Sequence, residues 1–402
     1  MSLLITGGLG FLGLQTARQF LRRGKVWAPR FNSKVPLEQL TLFDVNLPMH
    51  ELPHDIVSDE RVRIMTGDLT VEGVASEIVD ENSLSVVHLA SMVSGDTEAD
   101  HLRGWAVNVE GQRSLLEALR EKAPGARFLF TSSTAALGPV AEGSDAADDT
   151  TKLLPMNTYG FHKAVCELMV NDYARRGFVD ARCLRLPVVV VRPGAPNAAL
   201  TGAWSGVVRE PLNGEESLIP IPMGVKLPVA SYQTVVGGIE TLLNDVTTEA
   251  LGDDKSVMLP SLSASPQDMY DAACKLAEEH GVALGEARAR AQELPTRIVQ
   301  GMGTLSQGGS ILLPPPPSPP LPSRAIHVSH FSHAQPLPLV LALARARAAE
   351  RSDGSRAMEL GLPRDESADT IVAAYAADYV LGEKPLAPPP SSDPQGPPSF
   401  LR

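Results

Sequence analysis

Cysteine is scarce in this chain, with three in 402 residues: Cys166, Cys183 and Cys274. They stand far apart and form no Cys-x-x-Cys pair. That usage reads as reduced core thiols of a cytoplasmic protein. Basic residues are in deficit, 35 against 47 acidic ones, for a net charge of −12. No basic stripe gathers them, so neither nucleic acid nor an anionic membrane is an expected partner. No apolar run approaches the ~18 residues of a membrane span. An apolar strand beginning at Ser2 leaves no room for a signal peptide. The length suffices for one large α/β domain and a smaller lobe.

What is present begins at once. Ser2-Leu3-Leu4-Ile5-Thr6 is a short apolar strand. Gly7-Gly8-Leu9-Gly10-Phe11-Leu12-Gly13 follows directly, and a helical pattern runs on to about Arg23. Strand, glycine loop and helix together are the context of a dinucleotide site. Gly7 permits the tight turn, and Gly10 lets the backbone approach a pyrophosphate at the helix N-terminus. Gly13 lets the helix pack close to the strand. The spacing is G-x-x-G-x-x-G rather than G-x-G-x-x-G.

A ribose-binding acid is expected after the second strand. With residues 25–39 as an extended connection, that strand is 40–44, and Asp44 would accept hydrogen bonds from both ribose hydroxyls. A carboxylate there repels a 2′-phosphate, so NAD is the expected cofactor. The other registration, a strand at 25–27 with Arg30 near the ribose, favours NADP. Residues 62–65 read as a third strand ending in Gly67-Asp68-Leu69. Asp68 suits the adenine amino group with Leu69 on the ring, and equally suits the cap of a helix from about Thr70. Residues 84–90 read as a fourth buried strand, ending in His88-Leu89-Ala90-Ser91 where a cofactor would lie. His88 reads as a core histidine. Residues 100–119 read as a helix carrying Asn108 behind the site.

Phe128-Leu129-Phe130-Thr131-Ser132-Ser133 is an apolar run ending in hydroxyls, a fifth buried strand that emerges at a sheet edge. A helical pattern over 158–175 holds Tyr159 and Lys163, neighbours on one helix face. Ser133, Tyr159 and Lys163 can therefore converge on one polar site. A free phenol has a pKa near ~10, and a cation beside it favours the phenolate. Lowering it to about 7 takes roughly 4 kcal/mol, which Lys163 and a positively charged nicotinamide ring are expected to supply. Tyr159 would then take a proton from a substrate alcohol as hydride leaves the same carbon, with Ser133 holding the oxygen. Asp148 and Asp149 lie in the loop before this helix.

Residues 182–191 read as a sixth strand, closed by Arg192-Pro193-Gly194-Ala195-Pro196-Asn197 at the carboxyl edge. The alternation of strands and helices argues a Rossmann-type, doubly wound parallel sheet over 1–197. Ligands bind such sheets at their carboxyl edge. A smaller substrate lobe is expected over 198–303, with short elements at 204–211, 218–228 and 230–243. It continues with one more strand at 256–260, an amphipathic helix at 266–279 and helical composition at 285–293. Residues 304–343 carry Pro314-Pro315-Pro316-Pro317-Ser318-Pro319-Pro320 and then His327, His330 and His333. They read as a disordered or polyproline stretch, without the acidic or cysteine partners of a metal site. Order is expected again over 344–383, clearly from Arg356, with a helix at 368–381. The tail 384–402 is proline-rich.

Gly7–Gly13, Asp44, Asp68, Ser133, Tyr159 and Lys163, in this order, resemble the extended short-chain dehydrogenase/reductase family of nucleotide-sugar epimerases and dehydratases. The resemblance covers about residues 2–300. The stretches 88–95, 171–180, 185–197 and 208–212 are similar to the D-erythronate dehydrogenase group within it. The resemblance implies NAD-dependent oxidation of the C2 hydroxyl of a small sugar acid, with Ser133, Tyr159 and Lys163 catalytic. It implies cofactor binding by Gly7, Gly10, Phe11, Leu12, Gly13, Asp44, Asp68, Leu69, Ala90, Ser91 and Pro187, and a homodimer by analogy. Leu137 stands where many relatives carry tyrosine. A hydroxy acid needs a cation for its carboxylate, and Arg192 and Arg209 are the candidates, with Asn197 close by. Residues 304–343 match nothing in this resemblance and read as an insertion.

Overall fold

The computed structural model describes residues 2–48, 52–138, 146–194, 200–289 and 351–381. Asn197, the proline-rich stretch 304–343 with its histidines, and the tail lie outside the described residues.

Seven parallel strands make the central sheet. Across it they run Ser256–Met258, Asp180–Leu186, Arg127–Ser133, Ser83–His88, Ser2–Thr6, Gln39–Asp44 and Val62–Thr66. The chain starts in the middle, winds out to one edge, returns and winds out to the other. The strand order reverses between Ser2–Thr6 and Ser83–His88, which opens a crevice at the carboxyl ends. Ser2–Thr6 and Ser83–His88 are buried along their whole length, as strands covered by helices on both faces must be. One face packs the helices Phe11–Arg23 and Tyr232–Asn244 around Leu3, Ile5, Phe20, Leu40 and Ile239. The other packs Gly111–Lys122 and Thr158–Arg175 around Leu4, Val86, Leu116, Phe128 and Val170. The doubly wound α/β fold expected from the alternating pattern is the fold observed.

A second, smaller core belongs to the lobe, with Trp204, Val208, Val229, Met269 and Ile371 at its centre. Its three-stranded sheet is Val188–Val190, Leu227–Ser231 and Leu262–Ala264. The segment after the undescribed stretch returns to the body of the protein. Arg356 donates to the carbonyls of Leu251, Asp254 and Ser256 and pairs with Asp149. Asp365 accepts from Ser231 and Thr234.

Several elements differ from the sequence reading. The sixth strand does not continue to Val191. It stops at Leu186, because Pro187 has no N–H for the ladder, and Val188–Val190 joins the lobe sheet instead. Residues 25–39 are not merely extended: Lys25–Ala28 and Ser33–Pro36 pair as a hairpin outside the main sheet. The fourth strand ends at His88. The expected helix 100–119 is interrupted. Asp100 ends one short helix and caps the next by accepting from the Arg103 N–H at 3.0 Å. A wide π-type turn, Ala106–Glu110, then precedes Gly111–Lys122. No helix starts at Thr70; the next begins at Val74. Ala287–Ala289 is a strand against Ser217–Ile219, although the local composition is helical. A Cβ on Gly285 would lie 2.0 Å from the Glu215 carbonyl oxygen, so backbone-to-backbone contact overrides local propensity there. The described residues resume at Arg351, ahead of Arg356.

Candidate active site

The glycine loop sits at the switch point of the sheet. Gly7 has φ +69°, and a Cβ there would lie 2.7 Å from the Ala90 nitrogen. A Cβ on Gly13 would lie 2.3 Å from the Gly7 carbonyl oxygen. Both glycines are therefore required by the protein's own packing. Gly10 is different. It caps the helix Phe11–Arg23 in an extended conformation, and its nearest contact would be an ordinary 3.4 Å. It lines a cleft of about 530 Å³, so glycine at this position keeps the helix N-terminus open on the cleft side. A bare N-terminus facing a cavity of that size suits a pyrophosphate. The buried Ser132 Oγ, also on the cleft wall, has no hydrogen-bond partner among the described residues.

Asp44 ends its strand as expected. Its Oδ2 accepts from the Leu9 N–H at 3.1 Å and its Oδ1 from the Val45 N–H at 2.8 Å. Partial burial raises its pKa against those bonds. Phe11, Leu12, Ser91 and Pro187 line the cleft with the glycines. Asp44, Asp68, Leu69 and Ala90 are not on the cleft wall. Asp68 accepts from the Thr70 N–H at 2.9 Å, a turn-capping bond. Leu69 is buried in the core beside Phe43 and Val109, which leaves the expected ring contact unsupported. At the Ala90 position the backbone touches the loop and Leu89 faces the cleft.

Ser133, Tyr159 and Lys163 come together on the opposite wall. The helix Thr158–Arg175 starts where the Asn157 side chain accepts from the Gly160 N–H at 2.7 Å. Gly160 lets its first turn press on the turn after Ser133; a Cβ would lie 2.0 Å from the Ala135 carbonyl oxygen. That contact sets Tyr159 near Ser133, whose hydroxyl acts to lower the phenol pKa. Ser133 Oγ also accepts from the Ala135 N–H at 3.1 Å. Lys163 is buried, and its Nζ donates to the Thr131 carbonyl at 2.9 Å. The ammonium stands 4.6 Å from the Phe130 ring centre and 5.4 Å from that of Tyr159.

In the protein without cofactor, burial sets the electrostatics of Tyr159 and Lys163. Burial pushes the Tyr159 phenol up to about 12, against the Ser133 hydroxyl and the Arg192 charge. Burial also pulls Lys163 down to about 8. Desolvation outweighs the pairing because the ammonium is bonded to a carbonyl rather than to the phenol.

Arg192 and Arg209 play unequal parts. Arg192 lines the cleft, and its guanidinium has no carboxylate partner among the described residues. Burial and the neighbouring Arg209 lower its pKa, while Tyr159 raises it. Arg209 is not on the cleft wall, contrary to its expected contact with substrate. Its Nη1 donates to the Arg192 carbonyl at 2.9 Å and its Nη2 pairs with Glu210. Those bonds spend its planar fork on the protein itself.

One cleft-lining pair escaped the sequence reading, whereas Asn108 bonds backbone behind the site as read. Arg351 and Ser352 line the cleft, and the adjoining proline-rich composition gave no signal for them. The π-type turn sets Asn108 so that its Oδ1 accepts from the Met92 N–H at 2.7 Å and its Nδ2 donates to the Met92 carbonyl at 3.1 Å. His88 is a core residue as read. Its Nδ1 lies 2.6 Å from Thr6 Oγ1, and burial pulls its pKa down to about 3. Among the described residues there is no metal-binding cluster, and no helix is long and apolar enough to cross a membrane.

A nicotinamide-type crevice with a hydroxyl, a phenol and an ammonium on its wall has relatives. Residues 3–224 match the NAD dependent epimerase/dehydratase family. The chain belongs to that family. D-erythronate dehydrogenase of Cupriavidus necator is 42% identical over 281 residues, 69% of this chain and 82% of that one. D-erythronate dehydrogenase of Haemophilus influenzae is 35% identical over 269 residues, 67% of this chain and 80% of that one. Among solved structures, a nucleoside-diphosphate-sugar epimerase from Agrobacterium tumefaciens superposes with a TM-score of 0.74 at 28% identity, covering 95% of each chain. Membership makes this family protein an oxidoreductase working with a nicotinamide cofactor.

Proposed function

We propose that the protein oxidises the C2 hydroxyl of a small sugar acid with NAD, in the manner D-erythronate to 2-dehydro-D-erythronate. One observation carries this reading. The cation whose field reaches the Tyr159 phenol is Arg192, unpaired among the described residues and on the same cleft wall. A 2-hydroxy acid is the substrate whose carboxylate lies one bond from the reacting carbon, so the guanidinium and the phenol address adjacent atoms. The names of the 42% and 35% identical relatives support the same substrate class.

The cofactor, when bound, supplies the acceptor for the hydride leaving C2. Gly7, Gly10 and Gly13 give it room, and Asp44 favours a free 2′-hydroxyl, hence NAD. Ser133 donates to the substrate oxygen and orients it. Tyr159 takes the hydroxyl proton as C2 becomes a ketone. From a pKa of about 12, bringing the phenol to 7 takes roughly 7 kcal/mol. Lys163 and Arg192 each contribute positive charge toward that, and enclosure of the cleft strengthens both. Arg192 holds the carboxylate by its planar fork.

The same proposal divides the chain into a cofactor domain at 1–197, a substrate lobe at 198–303 completed by 344–383, and segments 304–343 and 384–402 dispensable for catalysis. It treats the protein as a homodimer by analogy with the family.

The 28% identical epimerase structure favours a second reading, rearrangement of a nucleotide sugar on tightly held NAD. NADH absorbance with a panel of four- to six-carbon sugar acids, and UDP-sugars as controls, separates the two. Net NADH from a C4 acid is expected. Interconversion of UDP-sugars without NADH from any acid would replace the dehydrogenase reading by the epimerase one.

A further inference from the structure

Among the described residues two guanidinium groups line the cleft, and oxidation next to one carboxylate calls for one. Arg192 follows the strand Val188–Val190 and lies beside Tyr159. Arg351 arrives from the returning C-terminal segment. Its two-residue strand pairs with Ala146–Ala147, setting Arg351 against Ala146. The Asp353 N–H donates to the Ala147 carbonyl at 2.7 Å, and Ser352 Oγ shares a 2.5 Å hydrogen bond with Ser261 Oγ. The backbone is thus held on two sides while the arginine side chain stays exposed at the cleft wall.

No carboxylate pairs with Arg351 among the described residues. Among the described residues, no Asp or Glu lines the cleft, although the chain carries a net charge of −12. A guanidinium held on fixed backbone beside a cavity whose described lining carries no acid is a site for an anion. The strand 351–352 packs against Leu227–Ser231 and Leu262–Ala264 of the lobe sheet. The anion it meets is therefore on the substrate rather than on the cofactor pyrophosphate.

We infer that Arg351 receives a second anionic group at the far end of the substrate, so that the preferred substrates are short 2-hydroxy acids bearing a terminal carboxylate or phosphate. This deepens the 2-hydroxy-acid reading and rests on it.

The test is NADH formation by the full-length protein with three four-carbon 2-hydroxy acids, ending in a hydroxyl, a carboxylate or a phosphate. At least one doubly anionic acid is expected to show a KM about tenfold or more below that of the singly charged one. Arg351→Gln should raise that KM about thirtyfold and the singly charged acid's KM about threefold, with kcat within about twofold. Arg351→Lys should recover part of the loss. The acid that responds identifies the terminal group as carboxylate or phosphate. Equal KM shifts for all three acids, or none, overturn the inference, while turnover of the singly charged acid leaves the broader reading intact. If no acid yields NADH, the broader reading fails. Calorimetric binding of the same acids to NAD-loaded protein then decides on Arg351: selective loss in Arg351→Gln supports it, and equal binding overturns it.

Discussion

Arg209 holds the backbone of Arg192, with its Nη1 donating to the Arg192 carbonyl at 2.9 Å. Arg192 is also anchored by its own N–H, which donates to Ser205 Oγ at 3.3 Å. The cleft arginine is therefore positioned through its main chain, and its guanidinium stays available. Charge-assisted hydrogen bonds are worth about 1.5–3 kcal/mol. Arg192→Met should accordingly raise KM for the sugar acid by about ten- to a hundredfold. Arg209→Gln should raise it about three- to tenfold by loosening that backbone, with kcat nearly unchanged. Steady-state kinetics of both variants check this. An unchanged KM in Arg192→Met removes that residue from the site, and equal losses in the two variants would mean that Arg209 touches substrate itself.

Tyr159 and Ser133 meet at the end of the strand Arg127–Ser133, and only the phenol can carry a proton away. Tyr159→Phe keeps the ring that packs in the first helical turn and removes the base. General-base catalysis contributes about 10²–10⁴ in rate, so kcat should fall by about that factor while NAD affinity changes about twofold. Rapid-quench turnover and fluorescence titration with NAD measure the two. Near-normal kcat in the variant would place the base elsewhere.

Much of this architecture was legible because its elements are long and their signals agree. The helix Thr158–Arg175 follows from an uninterrupted pattern. The glycine loop follows from strand, turn and helix in sequence. Legibility failed where tertiary contacts override local pattern. Pro187 looks like part of one apolar run, yet it moves the chain from the main sheet to the lobe. The π-type turn around Asn108 is tied to Met92 and His162, which no short-range spacing encodes. Arg351 was hidden for another reason: its two-residue strand exists only through pairing with Ala146–Ala147.

Asp44 is committed to the glycine loop, and in the proposed reading it also meets the ribose. Its carboxylate accepts from Leu9 and Val45, which leaves lone pairs on both oxygens for ribose hydroxyls. Asp44→Ser keeps a short acceptor and removes the negative charge. The variant should lower kcat/KM for NAD about tenfold and raise it for NADP, because the repulsion of a 2′-phosphate is gone. Initial rates with both cofactors check the ratio. A preference unchanged by the substitution would show that discrimination lies elsewhere, with the Arg30 registration next to test.

His88 offers a pH signature of the core beneath the cleft. Burial, aided by the Lys163 charge, pulls its pKa from 6.5 to about 3, so it stays neutral wherever the protein works. In the unfolded chain the imidazole takes a proton below about 6.5. The sign follows from linkage. Between about pH 6.5 and 3 the unfolded state binds a proton that the folded state refuses. The stability present above pH 6.5 is therefore lost as pH falls, by up to about 1.4 kcal/mol per pH unit. His88→Asn keeps a side-chain partner for Thr6 and removes the titration, at a pH-independent cost in packing. Urea unfolding of the two proteins at pH 7, 6 and 5 should show the wild-type advantage shrinking step by step toward acid. An advantage that stays constant over that range would mean His88 is protonated in the fold.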